Sequence, residues 1–455
     1  MKSKNYLLKI ICLFSIFFWN ASNAQDWTVL GTEGFSAGMA DLNEIAVDNN
    51  GVPYVIFRDD FNLNKATVMK YDGSSWVYVG GTPGISHASV TNVDISIDAN
   101  NVVYILYKST SSSASNRKVT VMKFNGTSWE NVGVSDFQEI DVNAKLAVNR
   151  LTNKPYVAYR DYSGGKANVK MFDGITWVNV GAVDFSPTYV GAVDFTINSA
   201  GIPYIAFSDS GTGLSYKATV MKYNGQSWEF VGVRGFSTGR PSTIDIAVSN
   251  DGTPYIAYYN DDNFNLAAVM KFNGTDWTLV GPAAVSSQPT YDPRIKIYKN
   301  AVYLTYQDSN IWKNQVKRFD GSNWVDVGTS SLNNYNGGNV LDISANGRIY
   351  LAGRNNYGKQ KVTYFDATLG ISDKKNDKNF SVYPNPASNS AKVNLGKYYE
   401  YIHIEIYDVS GNLVRTDEYK NIDSFSLSTS EFAKGLYFIN IQSAAERTIH
   451  KLLVK

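Results

Sequence analysis

The chain is short of the residues that most chemistry needs. It has one cysteine, Cys12, and three histidines, His87, His403 and His450. Cys12 lies in a segment expected to be removed, so the mature chain has no thiol. Disulfides and cysteine-metal sites are then excluded, and packing must supply the stability. Excess charge is missing too: 42 Lys+Arg against 41 Asp+Glu leave a formal +1 over 455 residues. That gives no electrostatic case for nucleic acid or an anionic membrane as the main partner. No long amphipathic helical pattern occurs after residue 25, and there is no GxSxG, HExxH or phosphate-loop motif. No catalytic residue, metal or cofactor is assigned on this basis, and an enzyme is the less favoured reading.

What is present is one repeated phrase. VMKYDGSSWVYVG (68–80) returns as VMKFNGTSWENVG (121–133), VKMFDGITWVNVG (169–181), VMKYNGQSWEFVG (220–232), VMKFNGTDWTLVG (269–281) and VKRFDGSNWVDVG (316–328). Its tryptophans are Trp27, Trp76, Trp129, Trp177, Trp228, Trp277 and Trp324, spaced 47 to 53 residues apart. A period near 50 with several short strands per unit is the signature of a radial or stacked array. Hydrophobic residues make up 44% of the chain and Asn-Gly or Asp-Gly pairs recur, which favours strands joined by tight turns.

The array is out of phase with itself. It starts at residues 26–31, the last piece of a unit, and ends at residues 361–366, a unit lacking that piece. An open solenoid has no reason to be permuted in this way. A closed ring does, because its first strand completes its last unit. Segments of the type EIAVDNNGVPYVIF (from Glu44) occur seven times. The expected fold is all-β: a seven-bladed β-propeller over residues 26–368, closed by an N-terminal strand. Within a blade, DIAV-type segments should form strand A at the axis, PYIAY-type strand B, ATVMKY-type strand C and WTLVG-type strand D at the rim. The A–B and C–D turns then share one face. The longer B–C loops and D–A crossovers share the other, where binding sites are usually found.

Both ends carry export signals. Residues 1–24 have Lys2, Lys4 and Lys9, an apolar run at residues 10–19 and the small-residue site Ser22-Asn23-Ala24. They read as a signal peptide, too short to span a bilayer, so no transmembrane span is expected in the mature chain. Residues 369–379 form a polar linker, and residues 380–455 alternate as strands of a small C-terminal β-sandwich. VYPNPASN (382–389), IEIYDVSGNLV (404–414), FAKGLYFINI (432–441) and KLLVK (451–455) resemble the type A C-terminal sorting domain of Bacteroidetes type IX secretion cargo. The resemblance implies passage through the periplasm, engagement of the type IX machinery by residues 380–455 and release outside the cell or display on the outer-membrane surface.

The repeated tryptophans, all in one register after a C–D turn, read as packing between blades rather than as sugar contacts. The candidates for ligand binding lie on the loop-rich face. A polar residue follows the last aromatic of strand B by two places, at Asp59, Asp161, Asp209 and Asp308 among others, and short polar side chains there also bond their own loops. Arg58, Arg160, Arg240 and Arg354 lie on the same face. Trp312 is the one tryptophan of the mature chain outside the repeat register, and an exposed aromatic beside acids and arginines suits a glycan. The function expected is therefore a secreted or surface protein binding a glycan or another surface ligand. The alternative is a polysaccharide hydrolase or lyase on the same fold.

Overall fold

The structure is a computed structural model, and it describes residues 26–110, 118–141, 143–328, 338–366, 381–409, 412–443 and 447–455. The expected signal peptide, Cys12 and the linker lie outside the described residues. The chain divides into two units, Met1–Asp366 and Ala367–Lys455.

The first unit is a ring of seven four-stranded antiparallel sheets. Blade 5 shows the order: strand A Pro241–Val248, B Pro254–Asn260, C Leu266–Phe272 and D Trp277–Leu279. Blade 7 takes strands A to C from Val340–Ile343, Arg348–Arg354 and Gln360–Asp366, and its fourth from Thr28–Val29. Thr28 faces Tyr364 and Val29 faces Thr363. The ring is therefore closed by the N-terminal strand. Each strand A lies against the next, and that of blade 7 meets that of blade 1. Blade 2 differs in one detail, a second short segment, Gln138–Glu139, on the outer side of its strand C.

Both faces of strands B and C are apolar because each blade lies between two others. The apolar cores sit between blades, one joining Phe57 and Val55 of blade 1 to Tyr350 and Val362 of blade 7. All seven repeated indoles fasten one blade to the one before it. Trp76 Nε1 donates to Leu30 O at 2.8 Å, and Trp129, Trp177, Trp228, Trp277 and Trp324 repeat the bond to Val79, Val132, Val180, Val231 and Val280. Trp27 Nε1 completes the circle on Val327 O at 2.8 Å. Four of these indoles also lie flat under a phenylalanine of the preceding crossover: Phe35, Phe137, Phe185 and Phe236, with ring centroids 4.1 to 4.4 Å apart.

The glycine ending each repeat explains itself here. Gly232 has φ +74°, and a Cβ on it would lie 2.9 Å from Phe272 and 3.2 Å from Trp277. Gly274, in the C–D turn, has φ +103° but nothing within 4 Å. Gly232→Ala therefore adds a packing clash to the backbone strain and should cost about 2–4 kcal/mol. Gly274→Ala should cost about 1 kcal/mol. Equal losses in urea unfolding would show that the indole does not hold this glycine.

The axis is polar. Glu44, Asp94, Lys145, Asp194, Asp245 and Arg294 come from six consecutive A strands and line the channel. Asp94 Oδ2 accepts from Leu146 N, Asp194 Oδ2 from Ile246 N, Asp245 Oδ2 from Ile295 N and Asp342 Oδ2 from Val47 N, at 2.7 to 2.8 Å. Each carboxylate thus stitches its blade to the next.

In the second unit, a 19-residue strand, Ser390–Asp408, pairs along its length with Leu413–Ser428. Ser381–Tyr383 pairs with its first part and Gly435–Gln442 with its second. Its pairing with Leu413–Ser428 shifts register between Asn394 and Tyr399. Val393, Ile404, Ile406, Leu427, Ile439 and Leu452 belong to the core of this unit.

Candidate functional site

Strand B ends alike in six blades: an aromatic, one variable residue, then a polar one. The aromatics Phe57, Tyr107, Tyr159, Phe207, Tyr258 and Tyr306 are buried between blades. The polar residue turns into its own loop. Asp59, fully buried, accepts from Asn62 Nδ2 at 2.7 Å and Thr67 Oγ1 at 2.9 Å. Asp209, also fully buried, accepts from Arg234 Nε at 2.9 Å, Thr219 Oγ1 at 3.1 Å and Gly211 N at 3.0 Å. Burial pushes the Asp209 carboxyl up, but these donors outweigh it and hold it below the usual carboxylate range. Asp161 takes Ser163 N and Gly164 N at 2.9 and 2.8 Å, and Asp308 takes Asn310 N at 2.9 Å.

The variable residue between them is Arg58, Lys108, Arg160, Ser208, Tyr259, Gln307 and Arg354 in blades 1 to 7. Arg58 Nη2 lies 2.6 Å from Asp41 Oδ2, and Arg354 of blade 7 pairs with the other oxygen of the same carboxylate. Two blades on, one aspartate again meets two cations, one of them through its backbone carbonyl. Arg160 pairs with Asp141, and Lys108 Nζ of the preceding blade donates to Asp141 O at 3.1 Å. Arg160 also donates to Val190 O at 2.8 Å and lies over the Tyr189 ring, 4.7 Å from its centroid. Arg240 covers Tyr216 at 4.8 Å, with Asp261 3.9 Å away.

Trp312 sits on the B–C loop of blade 6 and stacks on Tyr291, with centroids 5.6 Å apart and planes 19° apart. The pair stays open to solvent, Trp312 40% and Tyr291 48% exposed. The loop beneath is braced: Trp312 N donates to Asp308 O at 2.9 Å, Ser309 N to Pro289 O at 3.0 Å, and Asn310 Nδ2 to Gln288 Oε1 at 2.6 Å. Trp312 has φ +55°, a left-handed backbone shared by Leu63 and Phe264 in the B–C loops of blades 1 and 5. The turn, not the side chain, therefore sets that conformation.

At the channel mouth a cavity of about 490 Å³ is lined by Asn92, Lys108, Asp141, Arg160, Ser242 and Arg294, among others. A second cavity of about 290 Å³ occupies the channel beyond it, and Glu44, Lys145 and Arg294 line both. Arg294 reaches Glu44 and Asp245, each at 3.6 Å, while Lys145 Nζ lies 3.3 Å from Asp194. Burial pushes Asp94 up to about 7, with Lys145 opposing and Glu44 adding; burial and the neighbouring Asp194 do the same to Asp245, against Arg294. Burial and Arg294 pull Lys145 down, yet Asp194, Glu44 and Asp94 prevail and raise it. Among the described residues, no group of three His, Cys, Asp or Glu side chains is placed to hold a metal ion.

The structure thus brings Arg58 and Arg354 together on Asp41, keeps Arg160 two blades away, and leaves Trp312 and Arg240 on the remaining side. The partners Asp41 and Asp141, the stacking residue Tyr291 as a pair for Trp312, and the channel charges were not singled out together in the sequence. Their signal is the same register position repeating with a changed side chain.

Residues 381–455 match the secretion system C-terminal sorting domain. This segment is a type IX sorting domain, and the protein is exported to the cell surface or the extracellular space. No helix among the described residues is long and apolar enough to cross a membrane. No curated protein sequence matches the chain. Among solved structures, the chain is similar to SapL1 lectin in complex with alpha methyl fucoside, with 14% identity, a TM-score of 0.45, and 65% of this chain and 97% of that one covered. A lectin of Aleuria aurantia in complex with Fucalpha1-6GlcNAc gives 15%, 0.43, 65% and 96%. A polysaccharide lyase, an ulvan lyase bound to -[GlcA(1-4)Rha3S]-, gives 12%, 0.47, 74% and 95%. Likenesses of this size say nothing of what this chain binds.

Proposed function

We propose that the protein is a secreted or surface-displayed binding protein that recognises a glycan on the loop-rich face of its propeller. The observation that carries this reading is the Trp312–Tyr291 pair: two stacked rings, both about half open, on a braced loop. Rigid exposed aromatics with polar neighbours give a sugar an apolar ring face to rest on and directed hydrogen bonds at its edges. The sorting domain supports the reading because export puts this face among extracellular polymers. Cleavage of a polysaccharide on the same face has no observation in its favour. Asp161 and Asp308, its candidate acids, bond their own loop amides.

Trp312→Ala should weaken binding to the best glycan of an array by tenfold or more, about 1.4 kcal/mol. The melting temperature should change little, because the ring stands outside the cores between blades. Undiminished affinity, or no glycan bound by the wild type, would remove the proposal.

A further inference from the structure

We infer that the ligand is an acidic polysaccharide, bound by a basic arc on blades 7, 1, 2 and 3. This deepens the proposed function and rests on the reading of the loop-rich face as a glycan site. The carrying observation is one register position of strand B. Around the ring it reads Arg354, Arg58, Lys108 and Arg160 on four consecutive blades, then Ser208, Tyr259 and Gln307 on the other three. Each of these cations also bonds within the ring, but blades 4 to 6 close with no charge at the same position, so closure does not require it and its segregation to one side points beyond the fold.

The bonding around the arc favours a glycan over other polyanions. The Asp41 carboxylate serves both Arg58 and Arg354, whereas the Asp141 carboxylate serves Arg160 and its backbone carbonyl serves Lys108. Asp59 and Asp161, next in the chain to Arg58 and Arg160, direct oxygens into their own loops. The Arg58 side chain is about one-third exposed, that of Arg354 about one-fifth and that of Arg160 nearly buried, so Arg58 is the most open of the three guanidiniums to a ligand. A guanidinium fork suits a carboxylate or sulfate, and the shared aspartates can accept from sugar hydroxyls. A nucleic acid, with one phosphate per ~1.7 Å of duplex, brings more negative charge past those aspartates than a glycan with one acidic group per sugar or fewer. Four blades also exceed the reach of a single sugar, so the ligand is a polymer with one acidic group every residue or every few residues.

The test is binding of the full mature chain to immobilised polygalacturonate, a sulfated galactan, neutral laminarin and single-stranded DNA. Acidic glycans should bind at least about tenfold more tightly than laminarin, and the preferred one of the two says whether carboxylate or sulfate is read. Affinity should fall about tenfold or more between 50 and 500 mM NaCl, a readout that needs no variant. Arg58→Gln with Arg354→Gln should lower acidic-glycan affinity tenfold or more, while Arg58→Lys keeps part of it. Salt-insensitive binding to laminarin, lost in Trp312→Ala, would overturn the acidic class and leave the glycan reading standing. Preference for DNA would overturn both, and so would binding to none of the four.

Discussion

Removal of residues 26–31 is expected to unfold the propeller rather than trim it. Those residues contribute the fourth strand of blade 7 through the pairs Thr28–Tyr364 and Val29–Thr363 and the bond from Leu30 N to Val362 O. They also carry Trp27, whose indole bonds Val327 O of blade 6 and packs on Phe365. Leu30 O is in turn the acceptor for Trp76 of blade 1. The deletion therefore breaks two blade junctions together and bares the edge of Gln360–Asp366, an open template for association. Trp27→Ala alone should cost about 3 kcal/mol, the low end for a large aromatic because the site is only partly buried. The full deletion should cost more and give aggregation on expression. A deleted chain that melts within a few degrees of the wild type would mean that the closing strand is decoration.

Arg294→Met should be the most damaging single change at the axis, and its cost should depend on pH. Four axial carboxylates, Glu44, Asp94, Asp194 and Asp245, face three cations, Lys145, Arg294 and Lys296. Removing one cation leaves Glu44 and Asp245 without it, a loss of about 3–5 kcal/mol for a buried pair. The wild type already has a slope. Asp94 and Asp245 sit at about 7 in the folded chain, against about 3.9 unfolded. Between those values the native state holds more protons than the unfolded one. Stability from these groups is therefore fully present below about pH 4 and is lost as pH rises towards 7. The turn aspartates Asp72, Asp173 and Asp320 are held low by backbone amides. They act in the opposite sense below about pH 4, so stability from these groups should peak near pH 4. In Arg294→Met the fall from pH 5 to pH 8 should steepen. A melting temperature independent of pH over that range, in both proteins, would show that the axial carboxylates are not strained.

The ring was legible because packing repeats and its residues repeat with it. The indoles, the Gly after each strand D and the Asn-Gly turns recur in one register, and the permuted ends announce the closing strand. The crossovers were harder to read. They look irregular in sequence, yet Ser36, Ser86, Ser186, Ser237 and Ser286 each accept a backbone amide at the end of the B–C loop or the start of strand C, at 2.8 to 3.0 Å. Phenylalanine precedes three of those serines, but Ile85 and Val285 stand at the same place, which hides the pattern. In the sorting domain, KVNL and IHIEIYD lie apart in sequence, yet both belong to one strand, Ser390–Asp408, whose pairing shifts register between Asn394 and Tyr399. The site was legible only in part. Arg58, Arg160 and Arg354 could be named one by one, but Asp41, at the start of strand A, and Asp141, four residues ahead of it, lie seventeen and nineteen residues away from Arg58 and Arg160. Only the closed ring shows that Arg354, 313 residues away, shares Asp41 with Arg58.

Closure of the ring is also what assigns every loop to its face, and one cross-link tests it. Leu30 N bonds Val362 O, so the adjacent pair Val29–Thr363 is the closely spaced kind, with Cα atoms about 4.5 Å apart, within the range a disulfide spans. Val29→Cys with Thr363→Cys, in a chain expressed from residue 25 onward and so without Cys12, should oxidise to one intramolecular disulfide joining the first and last peptides of the propeller. The cross-linked protein should keep its glycan affinity. Thiols that stay reduced, or that link only between molecules, would contradict the closed ring and the assignment of residues to its faces.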